Sequence, residues 1–290
     1  MEQFLAYGLC KGMIFAISAA GFYLIYTTTR VFHLAHAVVC ASATYIAYSC
    51  FSRFHFSPLA LVLAAAFGAA IVGVAIDLLV YRPLQRRKAS ALVLLISSLG
   101  TNVALTNVLL LIFSSKPVVF HSGAEPTTHF ASIIFSQSQT RQLLVLIPLA
   151  AAYLIVMKVG SFGRLCAALA DNSQLATVLG VNVNNARTLI FIIGSSMAGI
   201  GSVLLALDVG TEPHFGMSLM LSSVAACIIG GLRWHAGPII GGIVLGLLQG
   251  LVAWAFASEW EMAATYVLVI TIILIRRQGV LSVSRRPEEV

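Results

Sequence analysis

Few residues in this 290-residue chain have side chains that could do chemistry. His33 and His36 flank Leu34 and Ala35, just after Tyr26-Thr27-Thr28-Thr29, where a first apolar stretch ends. Two imidazoles alone do not make a metal site, so no metal or cofactor is expected. At a helix boundary such histidines are either polar residues of the interface or, together with Ala37, the border of a solute path. The second reading rests on the rule that non-helical backbone inside a bilayer is tolerated only beside protein or water. Lys11 and Asp77 stand near the ends of apolar stretches and are expected to reach for the membrane interface. Such a scarcity of intramembrane charge argues against a pump built on an acidic relay. The chain has no HExxH, no GxSxG in a strand-turn-helix setting and no Walker lysine loop, so a P-loop ATP site is excluded. Any energy input has to come from a partner or from an ion gradient.

The elements that must position these residues follow from composition. With 59% hydrophobic and 9% charged residues, the chain has too little polar surface to coat a water-soluble globule. Apolar blocks run from 4 to 26, 34 to 51, 58 to 80, 91 to 113, 143 to 157, 188 to 207, 218 to 232, 237 to 257 and 262 to 275. A bilayer core of about 30 Å needs about 20 such residues per helix. The blocks at 34–51, 218–232 and 262–275 fall short, which suits tilted, broken or re-entrant helices. Strand alternation is absent, which excludes an outer-membrane barrel. The expected fold is therefore an all-α polytopic membrane protein, one transmembrane domain over 1–290, with about eight or nine transmembrane helices. The first block lacks a small-residue cleavage site and reads as a retained helix.

The formal charge of +7 is dispersed between the apolar blocks and forms no single basic face, so no nucleic-acid partner is implied. It sorts instead by side. Arg30, Arg82, Arg86, Arg87, Lys88, Lys158, Arg164, Arg187, Arg233, Arg276, Arg277, Arg285 and Arg286 fall on one side if every block crosses, against Lys11, Arg53, Lys116 and Arg141 elsewhere. The positive-inside rule then puts the N-terminus outside and the C-terminus in the cytoplasm. Cys10, Cys40, Cys50, Cys166 and Cys227 are scattered singly and read as small packing residues.

Two loops exceed a turn. The external one, 114–142, carries Pro117, His121, Pro126 and His129, and its 130–135 stretch is expected to lie on the membrane surface. In the internal one, 158–187, Asp171-Asn172-Ser173 supplies a turn and an N-cap for a short helix over about 173–179, with Gly180 just past its end. Such a helix either docks a soluble partner or is a plain interfacial linker. Glycine is dense at Gly230-Gly231, Gly237, Gly241-Gly242 and Gly246, whose small-xxx-small spacing allows close helix packing.

The run Ser161-Phe162-Gly163-Arg164-Leu165-Cys166-Ala167-Ala168, then Asp171, Ala176 and Leu179-Gly180-Val181-Asn182, then Ser195 to Gly201, resembles the central signature of the branched-chain amino acid permease family of ABC importers. The likeness extends to Gly8–Tyr48, Tyr81-Arg82-Pro83-Leu84, Leu95 to Gly100, Ile229 to Gly246 and Arg276 to Leu281. It implies a multi-pass permease subunit of the bacterial inner membrane without an ATPase site of its own. Its implied partners are a second, related permease in a heterodimer, two cytoplasmic ABC ATPases and an extracytoplasmic solute-binding protein. The loop holding Gly163, Arg164, Ala168, Asp171, Ala176 and Gly180 would contain the helix that couples to the ATPase. The resemblance implies a cargo of branched-chain amino acids or a related small polar solute; His33 and Ala37 stand where the family's box has asparagine and glycine, a departure that points away from leucine, isoleucine and valine, and a close branch is associated with urea and short amides. A secondary transporter driven by an ion gradient is the alternative, and it would need a buried carboxylate for which Asp77 is the one candidate.

Overall fold

The computed structural model describes residues 1–120, 126–130, 133–232 and 234–275. In chain order these form α1 (Glu2–Thr29), α2 (His36–Phe54), α3 (Pro58–Ile76), a π-helical turn (Asp77–Tyr81), α4 (Arg82–Arg86) and α5 (Ala91–Phe113). A hairpin of β1 (Thr127–Phe130) and β2 (Ile133–Ser136) follows, then α6 (Gln137–Val159), α7 (Ser161–Val178), α8 (Val183–Val209), α9 (Phe215–Gly230), α10 (Gly237–Ala255), a 3-10 turn (Ser258–Trp260) and α11 (Glu261–Ile275). Among the described residues, six helical runs are long and apolar enough to cross a membrane: α1, the continuous run Pro58–Arg86, α5, α6, α8 and α10. Three further apolar helices, α2, α9 and α11, fall outside that set, and they coincide with the three short blocks of the sequence. The chain is a polytopic helical membrane protein. Arg233 and the basic tail from Arg276 to Arg286, counted in the charge argument, lie outside the described residues, as does His121.

Helix α1 is the axis of the bundle, buried on nearly all sides between Cys10 and Thr28. Its closest neighbour is α10, and glycine is the reason. A Cβ on Gly242 would run into the Ala16 backbone, one on Gly246 into the Gly12 backbone, and one on Gly250 into the Phe4 carbonyl. Gly241 faces the Ala226 carbonyl of α9 in the same way, and Gly230 meets Gly237 across the α9–α10 turn. Gly231 plays a different part: at φ +84 it ends α9 in a conformation that L-residues avoid. Helices α5, α6 and α11 stand at the periphery and present Leu111, Leu144 and Leu274 outward, as helices bathed in hydrocarbon do.

The threonine run is the last turn of the first helix, as the sequence suggests: Thr27, Thr28 and Thr29 return their hydroxyls to the Tyr23, Leu24 and Ile25 carbonyls at 2.7, 2.6 and 2.6 Å, and α1 ends at Thr29 with Arg30 as its left-handed C-cap. The architecture is helical apart from one short hairpin, Thr127–Phe130 and Ile133–Ser136, whose Thr and Ile residues favour extended backbone. Gln3 clamps that hairpin, donating to the Ile134 carbonyl at 2.7 Å and accepting from the Ile134 N–H at 2.9 Å.

The loops gather at two ends. At one, Arg30 donates to the Ala170 carbonyl, Arg82 to the Asn184 carbonyl, and the Tyr153 hydroxyl to the His235 carbonyl. This basic end therefore joins the α1–α2, α4, α6–α8 and α9–α10 connections. At the other, the hairpin, the N-terminus and a backbone bridge between Val118 and Thr211 lie together.

Candidate functional site

The first half of the site is α7 and the turn that follows. Helix α7 is broken within its length: Asn172 is non-helical, at φ −154 and ψ 102, and its Oδ1 accepts from the N–H groups of Gln174 and Leu175, each at 3.0 Å. Asn172 is therefore the N-cap of a second, short helix. That helix ends in a Schellman motif, with the Val181 N–H on the Ala176 carbonyl and the Gly180 N–H on the Thr177 carbonyl, both at 3.0 Å. Gly180 takes φ +88 there, a value glycine adopts without strain. Asn182 then caps α8 through the Asn185 N–H at 3.1 Å. Three hydrophobic side chains project from the short helix into the open: Leu175 at 55%, Val178 at 83% and Leu179 at 75% exposure. Their i, i+3, i+4 spacing makes one face. Arg164, Ala168 and Asp171 are exposed on the first half of α7, whereas Ala176 and Gly163 are buried. A Cβ on Gly163 would strike the Met157 carbonyl, so the chain folds tightly between α6 and α7.

Beside this half lies a cavity of about 630 Å³ lined by Tyr23, Thr27, Arg30, Cys166, Asp171 and His235 among others. Burial, reinforced by the Lys158 charge, pushes the His235 imidazole below its ordinary value and keeps it neutral at pH 7. Burial pushes the Cys166 thiol up to about 12, so it is inert at neutral pH.

The second half of the site is a buried polar column. Asp77 does not reach for the interface as its position in the sequence suggests. It is wholly buried, and its Oδ2 accepts from Arg82 Nε at 2.8 Å while Oδ1 accepts from Arg187 Nε at 2.6 Å. Arg187 also donates to Gln85 Oε1, and Arg82 to the Asn184 carbonyl and to Thr188. The reason for the burial is that two guanidiniums replace the water a lone carboxylate would seek. Lys11 is likewise paired, with Glu261 Oε2 at 2.7 Å, in a partly buried contact between α1 and the start of α11.

Above the ion cluster, Tyr81 closes the π turn with its ring inward. Its hydroxyl meets His33 Nδ1 at 2.7 Å and Ser98 Oγ at 2.6 Å, and Ser98 Oγ accepts from the Ala35 N–H at 2.9 Å. His33 and His36 pack edge to face, 5.4 Å apart, against Phe191 and Phe22 respectively. Both histidines are fully buried, and Ala37 is covered by the start of α9, where Gly216 touches its carbonyl. None of the three borders the open cavity. The segment 31–35 and the segment 210–213 thus both run as largely buried irregular backbone toward the α2–α9 contact, where the Thr44 and Thr211 hydroxyls lie 3.0 Å apart.

Sequence reasoning leaves Asp77, Tyr81, Arg82, Ser98 and Arg187 out of the site. One signal is available: an ionisable group at the margin of an apolar block is a functional candidate by default, and Arg187 sits one residue before such a block.

Helical spans joined by buried irregular backbone define a polytopic membrane protein with a helix displayed at one end. The chain belongs to the family of branched-chain amino acid transport system permease components, whose profile matches residues 4–275. Permease components carry no ATPase site of their own. The chain is 28% identical to the high-affinity branched-chain amino acid transport system permease protein BraD of Pseudomonas aeruginosa, over 99% of this chain and 96% of that one. It is 27% identical to the LivH permease protein of the corresponding system in Escherichia coli K12, over 99% and 98% of the two chains. Among solved structures, PsaBC from Streptococcus pneumoniae in complex with Fab aligns with a TM-score of 0.51 at 14% identity, over 92% of this chain and 90% of that one, a likeness of fold alone.

Proposed function

We propose that this chain is one of two permease subunits of an ABC importer of the bacterial inner membrane, and that it moves a branched-chain amino acid or a related small polar solute inward. The observation that carries the reading is the short helix capped by Asn172 and Gly180, which displays Leu175, Val178 and Leu179 at the basic end. An apolar face of that kind on an extramembranous turn needs a protein partner. A cytoplasmic ABC ATPase is the partner that an ABC permease requires, with one ATPase beneath each permease. The basic end is then cytoplasmic by the positive-inside rule, and the hairpin end receives a solute-binding protein outside.

In this reading about eight or nine helices cross, since α2, α9 and α11 complete the bundle as broken or tilted spans. ATP-driven closure of the ATPases moves α7, and α2 and α9 rearrange around the buried breaks to shift the opening from outside to inside. His33, His36 and Ala37 border the solute in the open states. The family names of BraD and LivH support an amino-acid cargo, and the His33 and Ala37 departures from the family box support a cargo of altered shape or polarity. An ion-gradient mechanism is disfavoured, because Asp77, its one buried-carboxylate candidate, is engaged as the partner of two guanidiniums.

Reconstitution of the chain with its permease, ATPase and binding-protein partners tests this. Val178→Glu is expected to abolish both ATPase assembly and leucine uptake while the permease remains in the membrane. Full ATP-driven uptake by that variant would overturn the docking assignment.

A further inference from the structure

A docking helix at the basic end has no consequence for a solute unless its displacement reaches the breaks between helices, and the distance is bridged by an unbroken series of contacts. The Schellman turn at Gly180 and the Asn182 cap leave no slack between the short helix and the first turn of α8. That first turn is gripped from the side by Arg82, which donates to the Asn184 carbonyl at 3.0 Å. It also sends out Arg187, whose Nε holds Asp77 at 2.6 Å. Asp77 and Tyr81 are the first and last residues of the π turn, and both are buried while Leu78 and Leu79 between them face outward. Tyr81 in turn holds His33 and Ser98, and Ser98 holds the backbone of Ala35 in the α1–α2 break.

We infer that Tyr81, anchored through the π turn by the Asp77–Arg82–Arg187 cluster, is the positioning residue that carries movement of the α7–α8 turn to the α1–α2 break. This deepens the importer reading and rests on it.

Two features favour a transmitting over a merely structural role. A π turn inside an otherwise α-helical run is one residue out of register with its neighbours, a local geometry that recurs at functional sites and has an α-helical alternative close by. The column is also incompletely satisfied, since His33 Nε2 and Arg187 Nη2 are buried without a hydrogen-bond partner among the described residues. A polar network short of partners in one arrangement has a reason to adopt another, which is the property that a coupling element needs.

The test is the ratio of leucine taken up to ATP hydrolysed by the reconstituted complex. Tyr81→Phe keeps the ring against His33 and Phe191 and deletes only the hydroxyl. It is expected to lower that ratio by about fivefold or more, the ordinary range of a coupling energy, with binding-protein-stimulated ATPase retained. Ser98→Ala removes the Tyr81–Ser98 bond from its other end, together with the Ala35 N–H contact, and reads the proposal even where Tyr81→Phe assembles poorly. The double variant should cost less than the sum of the two single ones, because the Tyr81–Ser98 bond is lost in both. An unchanged ratio in both single variants, or uptake and ATPase falling together with the amount of assembled complex, overturns the relay. Failure of the wild-type complex to take up any of leucine, isoleucine, valine, urea or a short amide with ATP instead overturns the importer reading, and the relay with it.

Discussion

The α1–α10 seam and the polar column are both buried, both close-packed, and built on opposite principles. Along the seam, Gly12 and Gly242 to Gly250 let two backbones touch with no side chain between them. In the column, a carboxylate, two guanidiniums, a tyrosine, a serine and a histidine are threaded between apolar helices, with atoms left unpaired among the described residues. Backbone-to-backbone contact has one good arrangement, because any shift either opens a void or collides. A hydrogen-bonded column has several, since donors and acceptors can exchange partners at small cost in shape. On the proposed mechanism this contrast separates a fixed frame, α1 with α10, from a part able to rearrange, α2 with the π turn and the start of α8.

The sharpest way to break that contrast is at Asp77. Asp77→Ala leaves two buried guanidiniums facing each other and is expected to destabilise the protein by about 3–5 kcal/mol, seen as loss of monodisperse protein on mild heating. Near-normal stability would mean that water or lipid headgroups already serve the two arginines. Next is the frame: Gly242→Val forces a Cβ and two methyls into the Ala16 backbone, with an expected cost of about 1–3 kcal/mol or more and loss of stability without a selective change in coupling. A variant that stays stable but uncouples would erase the distinction between frame and moving part. Smaller still, Asn172→Ala removes the cap of the docking helix, worth about 1 kcal/mol locally. It should raise amide exchange between 173 and 179 while leaving the melting temperature of the bundle in place. Least of all is a difference at cysteine. At pH 7 a maleimide should leave Cys166 unmodified, because burial holds its thiol at about 12. Rapid labelling there would show that α7 separates from the cavity wall.

What the sequence discloses follows the reach of local signals. Apolar runs mark the spans, and their shortfall marks α2, α9 and α11, because crossing a bilayer is a constraint on consecutive residues. The turn at Gly180 and the cap before it are legible for the same reason, since caps are written within a few positions. Asp77 is misread from sequence because, beyond Arg82 five residues on, its second partner Arg187 lies 110 residues away and no local pattern announces a long-range ion pair. The π turn, Tyr81 and Ser98 escape likewise, as hydrogen bonds between helices leave no periodicity. The end of α1 is legible in its threonine run, where hydroxyls back-bond to the preceding turn before Arg30 closes the helix.

The most direct test of the central claim is sidedness. In a cysteine-free background, Ser173→Cys on the docking helix and Thr128→Cys on the hairpin are to be labelled with a membrane-impermeant maleimide. The account predicts that Thr128→Cys reacts in intact cells and Ser173→Cys reacts only in inverted vesicles, where added ATPase subunits protect it. Labelling of Ser173→Cys from outside intact cells would contradict the account.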